Sequence, residues 1–418
     1  MQILVLGINY VPEKTGIAPF TSGLCEHLVG AGNTVTMVTA FPYYPGWKVF
    51  DGYRGSRYRR ETVNGVDVRR VWHFVPSRPS RLWQRLAHDL SFTMNAFWAG
   101  LFTGECDVIY CCCPPPTLGV AAYLLSKIKR APFVIKLEDL ASEAALATGI
   151  MRDGIGLRLA RRLESFVYGK AKSIVCLCQG FIDCLAGRGV SREKLLLISH
   201  WGDTERVRPL ERSCRFRPAH NIPGDRFLVL HTGNMGKKQS LMNAIQAAEL
   251  IGEEQKVEWL LVGDGEERPL LEQEAATRAP HQLRILPLQP VEILPHMYAE
   301  ADLLLLNQKS TVEDAVIPSK LQTYMAAGRP IVAAVSARSE SARYVHRASC
   351  GIVVEPEEPQ ALAEAVLRLA GDPELRKQLG ANGRAYAEAH FTKSAVLEQY
   401  DVFFGQFDNG HSIAAAAP

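Results

Sequence analysis

Runs of apolar residues alternate with amphipathic segments from the beginning of the chain. The run ILVLG at 3–7 is followed by a helical pattern from about residue 17 to 31, and then by the run TVTMVT at 34–39. This succession predicts a βαβ unit. Further strands are predicted at 66–71, 108–112, 133–137, 174–177 and 195–198, with helical patterns between them. The first half is therefore predicted to form a parallel, doubly wound sheet.

The same alternation restarts in the second half of the chain. Strands are predicted at 227–233, 257–263, 283–288, 302–307, 330–335 and 351–356, and helices from about residues 241, 269, 294, 320 and 360. Polar, proline-containing sequence at 202–223 serves as a linker. These patterns predict an α/β protein of two Rossmann-like domains facing a cleft, residues 1–204 and 205–392, with a final helix at about 393–410 that could return to the first domain.

Composition adds one local feature to this picture. The chain has 418 residues, more than one hydrophobic core usually supports, and a net charge of only +3. Residues 53–85 nevertheless hold nine arginines and five aromatic residues. Such a stretch is typical of surfaces for nucleic acid, an anionic membrane or a phosphorylated substrate, but also of a solvated loop and edge strand. No nucleic-acid-binding motif accompanies it, so nucleic acid is not predicted as a partner.

The cysteines and the apolar runs bear on location. Cys111 to Cys113 stand in a row, and Cys176 and Cys178 lie in an apolar run; these spacings are typical of buried strands in a protein of the reducing cytoplasm rather than of a disulfide framework. No charged segment with an apolar stretch opens the chain, and the apolar run at 92–102 is shorter than the ~18 residues of a membrane span. We therefore expect a soluble or peripheral protein.

In the first half, two loops after predicted strands carry unusual residues. The first strand leads into INYVPEKTGIAPF, in which Gly16 precedes a helix and no G-x-G-x-x-G fingerprint occurs. This loop either contacts a phosphate or sugar or is an ordinary connection. The strand FVIKL leads into Glu138 and Asp139, which are either helix-start acids or acids aimed into the cleft.

In the second half, candidate residues also follow the strands. The turn HTGNMGKK at 231–238 frames Lys237 and Lys238 with glycines, which suits a diphosphate because amides and cations converge there. Asp264 follows the next strand as a possible nucleotide contact. In IPSKLQTYMAAGRP, Ser319 is predicted to cap a helix whose amides at Lys320 and Leu321 stay free for an anion.

These loops share one interpretation, a ligand containing a diphosphate bound on the second domain. No D-x-D pair occurs in the chain, so neither a metal nor a cofactor is predicted. Cations and helix amides would then have to stabilise a departing diphosphate.

Motifs along nearly the whole chain resemble a known family, the retaining glycosyltransferases of the GT4 type with the GT-B fold. They are ILVLGINYVPEKTGIAPF, YRRETVNGVDVRRV, CCCPPPTLG, KLEDLASEAALATG, HWGDTERVRP, HTGNMGKKQSL, LLVGDGEERPLL and IPSKLQTYMAAGRPIV. Within that family the chain looks most like enzymes of colanic-acid and related exopolysaccharide assembly, often described as fucosyltransferases.

The resemblance implies roles for single residues. Lys238 matches the lysine that neutralises the diphosphate, and Asp139 matches an acidic catalytic position. Donor-binding positions are Gly16, Gly233, Asn234, Lys237, Asp264, Glu313, Ser319, Lys320 and Leu321. Two departures stand out: Asn234 replaces a common arginine, and the family's Glu-x7-Glu pair falls on Ala315 and Thr323, with Glu313 and Asp314 nearby. An unusual donor sugar is therefore an open alternative.

The resemblance also implies the reaction. We expect transfer of a sugar from a nucleotide-diphosphate sugar to a glycan acceptor linked to a polyprenyl diphosphate. Arg78, Arg81 and Arg85 lie in the half that by resemblance binds the acceptor, which predicts peripheral attachment to the cytoplasmic face of the membrane. The alternatives are a nucleotide-sugar epimerase of the same fold and a non-catalytic glycan- or lipid-binding relative. A nicotinamide oxidoreductase is disfavoured, because the glycine fingerprint is missing.

Overall fold

The computed structural model describes residues 1–79, 81–147, 154–212, 216–311 and 319–408. The chain divides into two compact units. The first unit consists of Met1–His200 together with the chain from Leu397 onward, and the second of Trp201–Val396.

The first unit is built on an eight-stranded sheet. Its strands are β1 (Gln2–Leu6), β2 (Thr34–Ala40), β3 (Tyr58–Val63), β4 (Val66–Val71), β5 (Val108–Cys113), β6 (Phe133–Leu137), β7 (Ser173–Cys176) and β8 (Leu195–Leu197), and its helices α1 (Ala18–Gly30), α2 (Leu82–Leu101), α3 (Pro116–Lys129), α4 (Ala141–Ala147), α5 (Ile155–Lys170) and α6 (Gln179–Gly187). The strand order is β3-β4-β2-β1-β5-β6-β7-β8. The predicted strands are confirmed, and the order reverses between β1 and β5, as in doubly wound folds.

Strand β3 differs from the sequence prediction of a parallel sheet. It pairs antiparallel with β4 at the edge of the sheet. The connecting residues Asn64 and Gly65 both have positive φ, 49° and 83°, which is the backbone of a tight two-residue hairpin turn. The Asn-Gly pair in VNGV was a local signal for this hairpin.

Arg70 anchors the edge hairpin to the rest of the sheet. Its side chain is 1% exposed, its Nε donates to Glu61 Oε1 at 2.5 Å, and its Nη2 donates to the carbonyl of Val11 at 2.6 Å. The arginine stretch is therefore not one uniform basic surface, because Arg70 points inward and Arg59 pairs with the other oxygen of Glu61 at 3.0 Å.

Replacing Arg70 by methionine should lower the free energy of unfolding of the first unit by about 3 kcal/mol, because it breaks a buried ion pair and leaves the Val11 carbonyl without its donor. Urea denaturation measures the loss. The matched control is Arg59→Met, which removes a surface ion pair to the same carboxylate and should cost under about 1 kcal/mol. Equal losses in the two variants would contradict the anchoring role.

The second unit is built on a six-stranded parallel sheet. Its elements are α7 (Phe216–Ala219), β9 (Phe227–Asn234), α8 (Met242–Ile251), β10 (Val257–Asp264), α9 (Arg268–Arg278), β11 (Leu283–Leu286), α10 (Leu294–Glu300), β12 (Leu303–Asn307), α11 (Ser319–Ala326), β13 (Ile331–Ala334), α12 (Glu340–Ala348), β14 (Gly351–Val354), α13 (Pro359–Gly371), α14 (Pro373–His390) and α15 (Lys393–Gly405). The strand order, β11-β10-β9-β12-β13-β14, is that of a Rossmann sheet, with its switch point between β9 and β12. The prediction of a second Rossmann-like domain is confirmed.

Helix α15 contributes its second half to the first unit. Tyr400 is buried there, and its hydroxyl accepts from Tyr110 Oη at 3.1 Å. Its ring lies 5.6 Å from Nζ of Lys136, a buried lysine on β6 that also donates to the carbonyl of Ile198 at 2.8 Å. The last helix thus supplies an aromatic partner for a cation buried in the sheet of the first unit.

Helix α2 has two opposite faces. A buried face repeats every four residues, at Gln84, His88, Phe92, Ala96 and Gly100. An exposed apolar face repeats at the same interval, at Leu82, Leu86, Leu90, Met94 and Trp98, and continues to Phe102, with side chains 40–75% exposed. Within the described ranges no helix is both long and apolar enough to cross a bilayer.

Candidate functional site

The candidate site of the second unit lies where β9 and β12 end. These strands flank the switch point of the sheet, the usual ligand position in open α/β sheets. Asn307, the last residue of β12, donates from Nδ2 to the carbonyls of Gln239 and Ser240 at 2.6 and 2.8 Å and accepts from Asn243 at 3.0 Å. The loop after β9 is thereby fastened to the end of β12.

Gly233 and Lys320 meet at the end of β9. Gly233 has φ 114°, a conformation that favours glycine. A Cβ placed on it would lie 3.1 Å from Cε and 3.3 Å from Nζ of Lys320. The lysine side chain therefore passes directly over the glycine, which brings two residues predicted from separate motifs into contact.

His231 holds the end of that lysine. The histidine is fully buried on β9, with Nδ1 3.1 Å from the carbonyl of Leu305 and Nε2 3.4 Å from Nζ of Lys320. A carbonyl can only accept a hydrogen bond. The tautomer of His231 that fits both contacts therefore donates a hydrogen bond from Nδ1 and accepts one from Lys320 at Nε2. Burial and the charge of Lys320 lower the pKa of His231 well below its usual value, so the imidazole is neutral.

Burial also lowers the pKa of Lys320, to about 8. The ammonium has given up much of its water and has a neutral histidine as its neighbour. An anion placed against it would supply the missing opposite charge, which is a strong interaction at a partly desolvated position.

The two lysines of the glycine-framed turn differ in their surroundings. They lie on a 3-10 turn, Lys237–Gln239. Lys237 pairs with Glu266 at 2.8 Å, and both side chains are about 70% exposed. Lys238 is exposed and makes no ion pair with any described residue, while its carbonyl accepts from the amide of Lys309 at 2.8 Å. Lys238 is thus the cation of this turn that is available to a ligand.

Asn234 and Asp264 end the neighbouring strands β9 and β10 in register. Asn234 packs against its own loop, with Nδ2 3.5 Å from Oε1 of Gln239. Asp264 is exposed, and its Oδ1 accepts from the amide of Gly265 at 2.8 Å. Both side chains therefore shape the loops that border the lysines.

Helix α11 provides the third side of the site. Ser319 is its first residue, and the carbonyl of Ser319 accepts from Oγ1 of Thr323 at 3.0 Å. The Leu321 side chain is buried, so only its backbone could reach a ligand. The predicted donor-binding residue Glu313 lies outside the described residues.

Glu357 is a residue that the sequence reasoning missed. It follows β14 with φ 61° and accepts from the amide of Ser310 at 3.0 Å, from Oγ of the same serine, and from Oγ of Ser240 at 3.3 Å. Hydrogen bonds from Ser310 hold its pKa below the usual range. Glu357 therefore joins the loops after β9 and β12, and the only sequence signal was an acid after the run GIVV.

In the first unit, Gly16 lies in a loop organised by Glu13. The Glu13 carboxylate is 3% exposed and accepts from the amides of Tyr43 and Tyr44, each at 2.7 Å, and from Asn9 at 2.9 Å. Gly16 has φ 66°, and a Cβ there would lie 3.3 Å from the ring of Tyr44. Sequence reasoning singled out the glycine and missed the buried acid that ties two loops together.

The adjacent acids after β6 have different environments. Glu138 is buried and its Oε2 lies 2.7 Å from Nε2 of His200. Burial raises the pKa of Glu138, but His200 and Lys136 outweigh it and the net pKa is lowered. Asp139 is half-buried, forms no ion pair with a described residue, and has a pKa raised by burial. Asp139 is thus the acid of the pair that is open to another group.

The three arginines assigned to an acceptor or membrane surface lie before and within α2. Arg78 and Arg81 are exposed, whereas the guanidinium of Arg85 stacks over the Trp47 ring at 5.3 Å.

Across the described ranges, no group of three or more His, Cys, Asp or Glu side chains is arranged to hold a metal ion. Independence of the reaction from metal stays a prediction.

Comparison with known proteins gives matches in both units. The model for glycosyl transferases group 1 matches residues 214–386, and the model for the glycosyl transferase 4-like domain matches residues 15–201. WcaI of Escherichia coli strain K12, named for a glycosyl transferase of colanic acid biosynthesis, is 30% identical over 408 residues, covering 96% of this chain and 98% of its own. WbjE of Pseudomonas aeruginosa, named as a glycosyltransferase, is 26% identical over 64% of this chain and 66% of its own.

Solved structures share the fold. Anabaena Alr3699/HepE in complex with UDP has a TM-score of 0.70 at 18% identity, covering 97% of this chain and all of that one. A sucrose-phosphate synthase from Thermosynechococcus elongatus has a TM-score of 0.69 at 18% identity, covering 97% and 98%. These likenesses confirm the predicted GT-B fold.

Proposed function

The chain belongs to the family of group 1 and group 4-like glycosyl transferases, and on that premise we propose that it transfers a hexosyl unit from a nucleotide-diphosphate sugar to a lipid-linked glycan acceptor. The configuration at the anomeric carbon is retained. The product belongs to an exopolysaccharide or another cell-surface polysaccharide, in keeping with the role for which WcaI is named.

The main support for this proposal is the contact of Lys320 with Gly233. The absence of a side chain on Gly233 leaves the end of β9 open beside a partly buried ammonium, and the exposed Lys238 follows five residues later. A diphosphate bound at this strand end would meet both cations and the first amides of α11. The UDP in the HepE complex supports a nucleotide donor of this kind.

The cations then act on the leaving group. As transfer proceeds, the bond from the anomeric carbon to the phosphate oxygen breaks and the bond to the acceptor oxygen forms on the same face of the sugar, while the proton of the acceptor hydroxyl passes to an oxygen of the departing diphosphate. Negative charge grows on the departing diphosphate, so Lys238, Lys320 and the helix amides stabilise the transition state more than the ground state. No metal or cofactor is required for this step.

Asp139 and Gly16 are the first unit's contributions to the reaction. We assign Asp139 to the transferred sugar, since an available carboxyl with a pKa raised by burial suits hydrogen bonding or proton exchange at a reacting centre. Gly16, with its left-handed backbone, lets its loop approach the donor.

A donor panel tests the proposed reaction. The purified chain is incubated with GDP-, UDP-, dTDP- and ADP-sugars, with and without membrane extract as acceptor, in the presence of EDTA. Sugar should appear in a lipid-extractable product, or slowly as free sugar when no acceptor is present. A changed donor sugar formed without acceptor would instead identify an epimerase. Turnover that appears only when magnesium or manganese replaces EDTA would overturn metal independence, and no turnover of any donor with or without these metals would favour the non-catalytic relative.

The second part of the proposal is that the first unit binds a membrane through helix α2 and the arginines that precede it. The exposed apolar face of α2 runs for about five turns with an exposed tryptophan, Trp83, near its start, and Arg78 and Arg81 lie before the helix. An amphipathic helix with apolar and aromatic residues on one side and cations beside it is suited to the interface of an anionic bilayer.

Neighbouring helices also carry exposed apolar residues. Helix α2 packs on α3, and α3 packs on α5. Leu124 and Ile128 are exposed on α3, as are Ile155, Leu159 and Phe166 on α5. Exposed apolar side chains on three helices that pack in succession support peripheral attachment at the cytoplasmic face.

Replacing Leu86, Met94 and Trp98 together by serine should abolish sedimentation of the protein with vesicles. Burial of each of these side chains in the bilayer interface contributes about 1.5–3 kcal/mol to binding. Arg78→Ser with Arg81→Ser should weaken binding to anionic vesicles by about 2 kcal/mol and make the remainder less sensitive to salt. The control replaces the exposed Leu250 and Leu270 of the second unit by serine. If the wild-type protein fails to bind anionic vesicles, or if the triple variant binds them as well as the wild type does, the proposed membrane role of this surface is wrong.

A further inference from the structure

A cavity of about 250 Å³ lies at the edge of the first unit. It is bordered by Phe41, Val49 and residues 53–57 of the chain that follows β2, and by Trp72 and His73 just after β4. Its volume is slightly below the usual range for drug-sized ligands, about 300 Å³ upward. One monosaccharide ring is an occupant of suitable size.

His73 borders this cavity with a side chain that is packed away from solvent. It is 3% exposed, and both ring nitrogens are buried, next to the backbone of Val71. The neighbouring His88 is hydrogen-bonded to the hydroxyl of Tyr43 at 3.1 Å and to the carbonyl of Phe74 at 2.7 Å. Burial lowers the pKa of His73 to about 3, so the ring is neutral and forms part of the wall of the cavity.

Two arginines at the cavity are available for an anion. Arg57 is exposed and has no acidic partner in the part of the chain that the structure describes. Arg54 pairs at 3.0 Å with Asp51, whose side chain is 91% exposed, so water screens that pair strongly. The other arginines of the hairpin are engaged with Glu61 and Asp67.

Aromatic rings supply the apolar part of the lining. Phe41, Tyr53 and Trp72 border the cavity, and Trp72 is 47% exposed. Tyr53 is already packed by the guanidinium groups of Arg59 and Arg70, at 4.9 and 5.1 Å from its ring, so Trp72 is the ring that remains open. The C–H bonds of a sugar ring pack favourably on such an aromatic face.

We propose that this cavity binds one negatively charged sugar unit of the acceptor glycan. Trp72 packs against the sugar ring, and Arg57 and Arg54 hold its carboxylate or phosphate. The assignment to the acceptor rests on the proposed function, whereas binding of the charged sugar does not. A carboxylate would come from a uronic acid, and a phosphate from the sugar attached to the lipid diphosphate.

Calorimetric titration of the full chain without donor tests the proposal. The probes are glucuronate, glucose 1-phosphate, glucose and inorganic phosphate. One charged sugar should bind saturably and about tenfold or more tightly than glucose and inorganic phosphate. The tighter of glucuronate and glucose 1-phosphate identifies the anionic group. Absence of saturable binding by both charged sugars, or equal binding of inorganic phosphate, overturns the proposal.

Substitutions in the lining test whether the charged sugar binds in this cavity. Trp72→Ala and Arg57→Gln should each weaken it about tenfold, whereas Trp98→Ala and Arg158→Gln, exposed positions on α2 and α5, should not. Unchanged affinity in both cavity variants overturns the assignment. A chain that binds charged sugars here but transfers no sugar contradicts only the proposed function.

Discussion

Lys238→Ala is expected to lower the rate of sugar transfer by about 100- to 1,000-fold while the fold stays intact. Its side chain is exposed and makes no ion pair with a described residue, so its removal leaves no buried charge behind. What is lost is a charge-assisted contact to the diphosphate, which strengthens as charge develops on the leaving group. Steady-state kinetics with the preferred donor should show most of the loss in kcat.

Two control variants are compared with Lys238→Ala. Lys237→Ala removes a neighbouring lysine that already pairs with Glu266 and should change the rate only a few-fold. Lys377→Ala, on the exposed side of α14, should change nothing. Near-normal turnover in the Lys238 variant, with an unchanged melting temperature, would remove this residue from the mechanism.

Lys320→Gln is expected to weaken donor binding and to lower kcat/KM by about 100-fold, because an ammonium that has lost most of its water makes strong contacts with anions. Glutamine retains a donor for Nε2 of His231, so the local packing is kept. Donor affinity measured by calorimetry, with Lys377→Gln as the matched control, tests the charge itself. Unchanged affinity would contradict the role of this cation.

The lowered pKa of Lys320 gives that site a pH signature. With a pKa of about 8 in the free protein, the ammonium loses its proton as the pH rises above 8, so donor affinity should fall in that range. Stability should move the other way. The unfolded lysine still binds its proton up to about pH 10.4, so the folded state gains stability from this group between pH 8 and 10. Both trends should vanish in Lys320→Gln, whereas a wild-type affinity flat from pH 7 to 9 would contradict them.

Much of the fold could be predicted because buried parallel strands are continuous apolar runs. Strands β4 and β6 begin and end at the predicted residues: Val66–Val71 follows the Asn-Gly turn, and Phe133–Leu137 lies between a proline and a glutamate. The inward position of Arg70 also follows from alternation along β4, which places it on the same face as Val66 and Val68. Strand β3 was harder to predict because its burial is slight and its polar residues resemble a loop.

The candidate site could be predicted only in part. The glycines and lysines stood out because glycine-framed turns bring backbone amides and cations together in a way that suits a diphosphate. Their arrangement depends on partners distant in sequence: His231 and Lys320 are 89 residues apart, and Glu357 and Ser240 are 117 apart. No local pattern encodes such pairings, so the sequence indicated which chemistry was present and not which groups touch.

The contribution of α15 to the first unit has a consequence for biosynthesis. The second unit is continuous in the chain, from Trp201 to Val396, and interrupts the first. Tyr400 therefore leaves the ribosome after nearly all other described residues, and until then Lys136 and Tyr110 lack the partner that they have in the finished sheet. Domains usually complete folding in the order in which they are made. Here the order is reversed: the second unit can finish first, and the unit that carries Asp139 receives its last helix only after the second unit has been made.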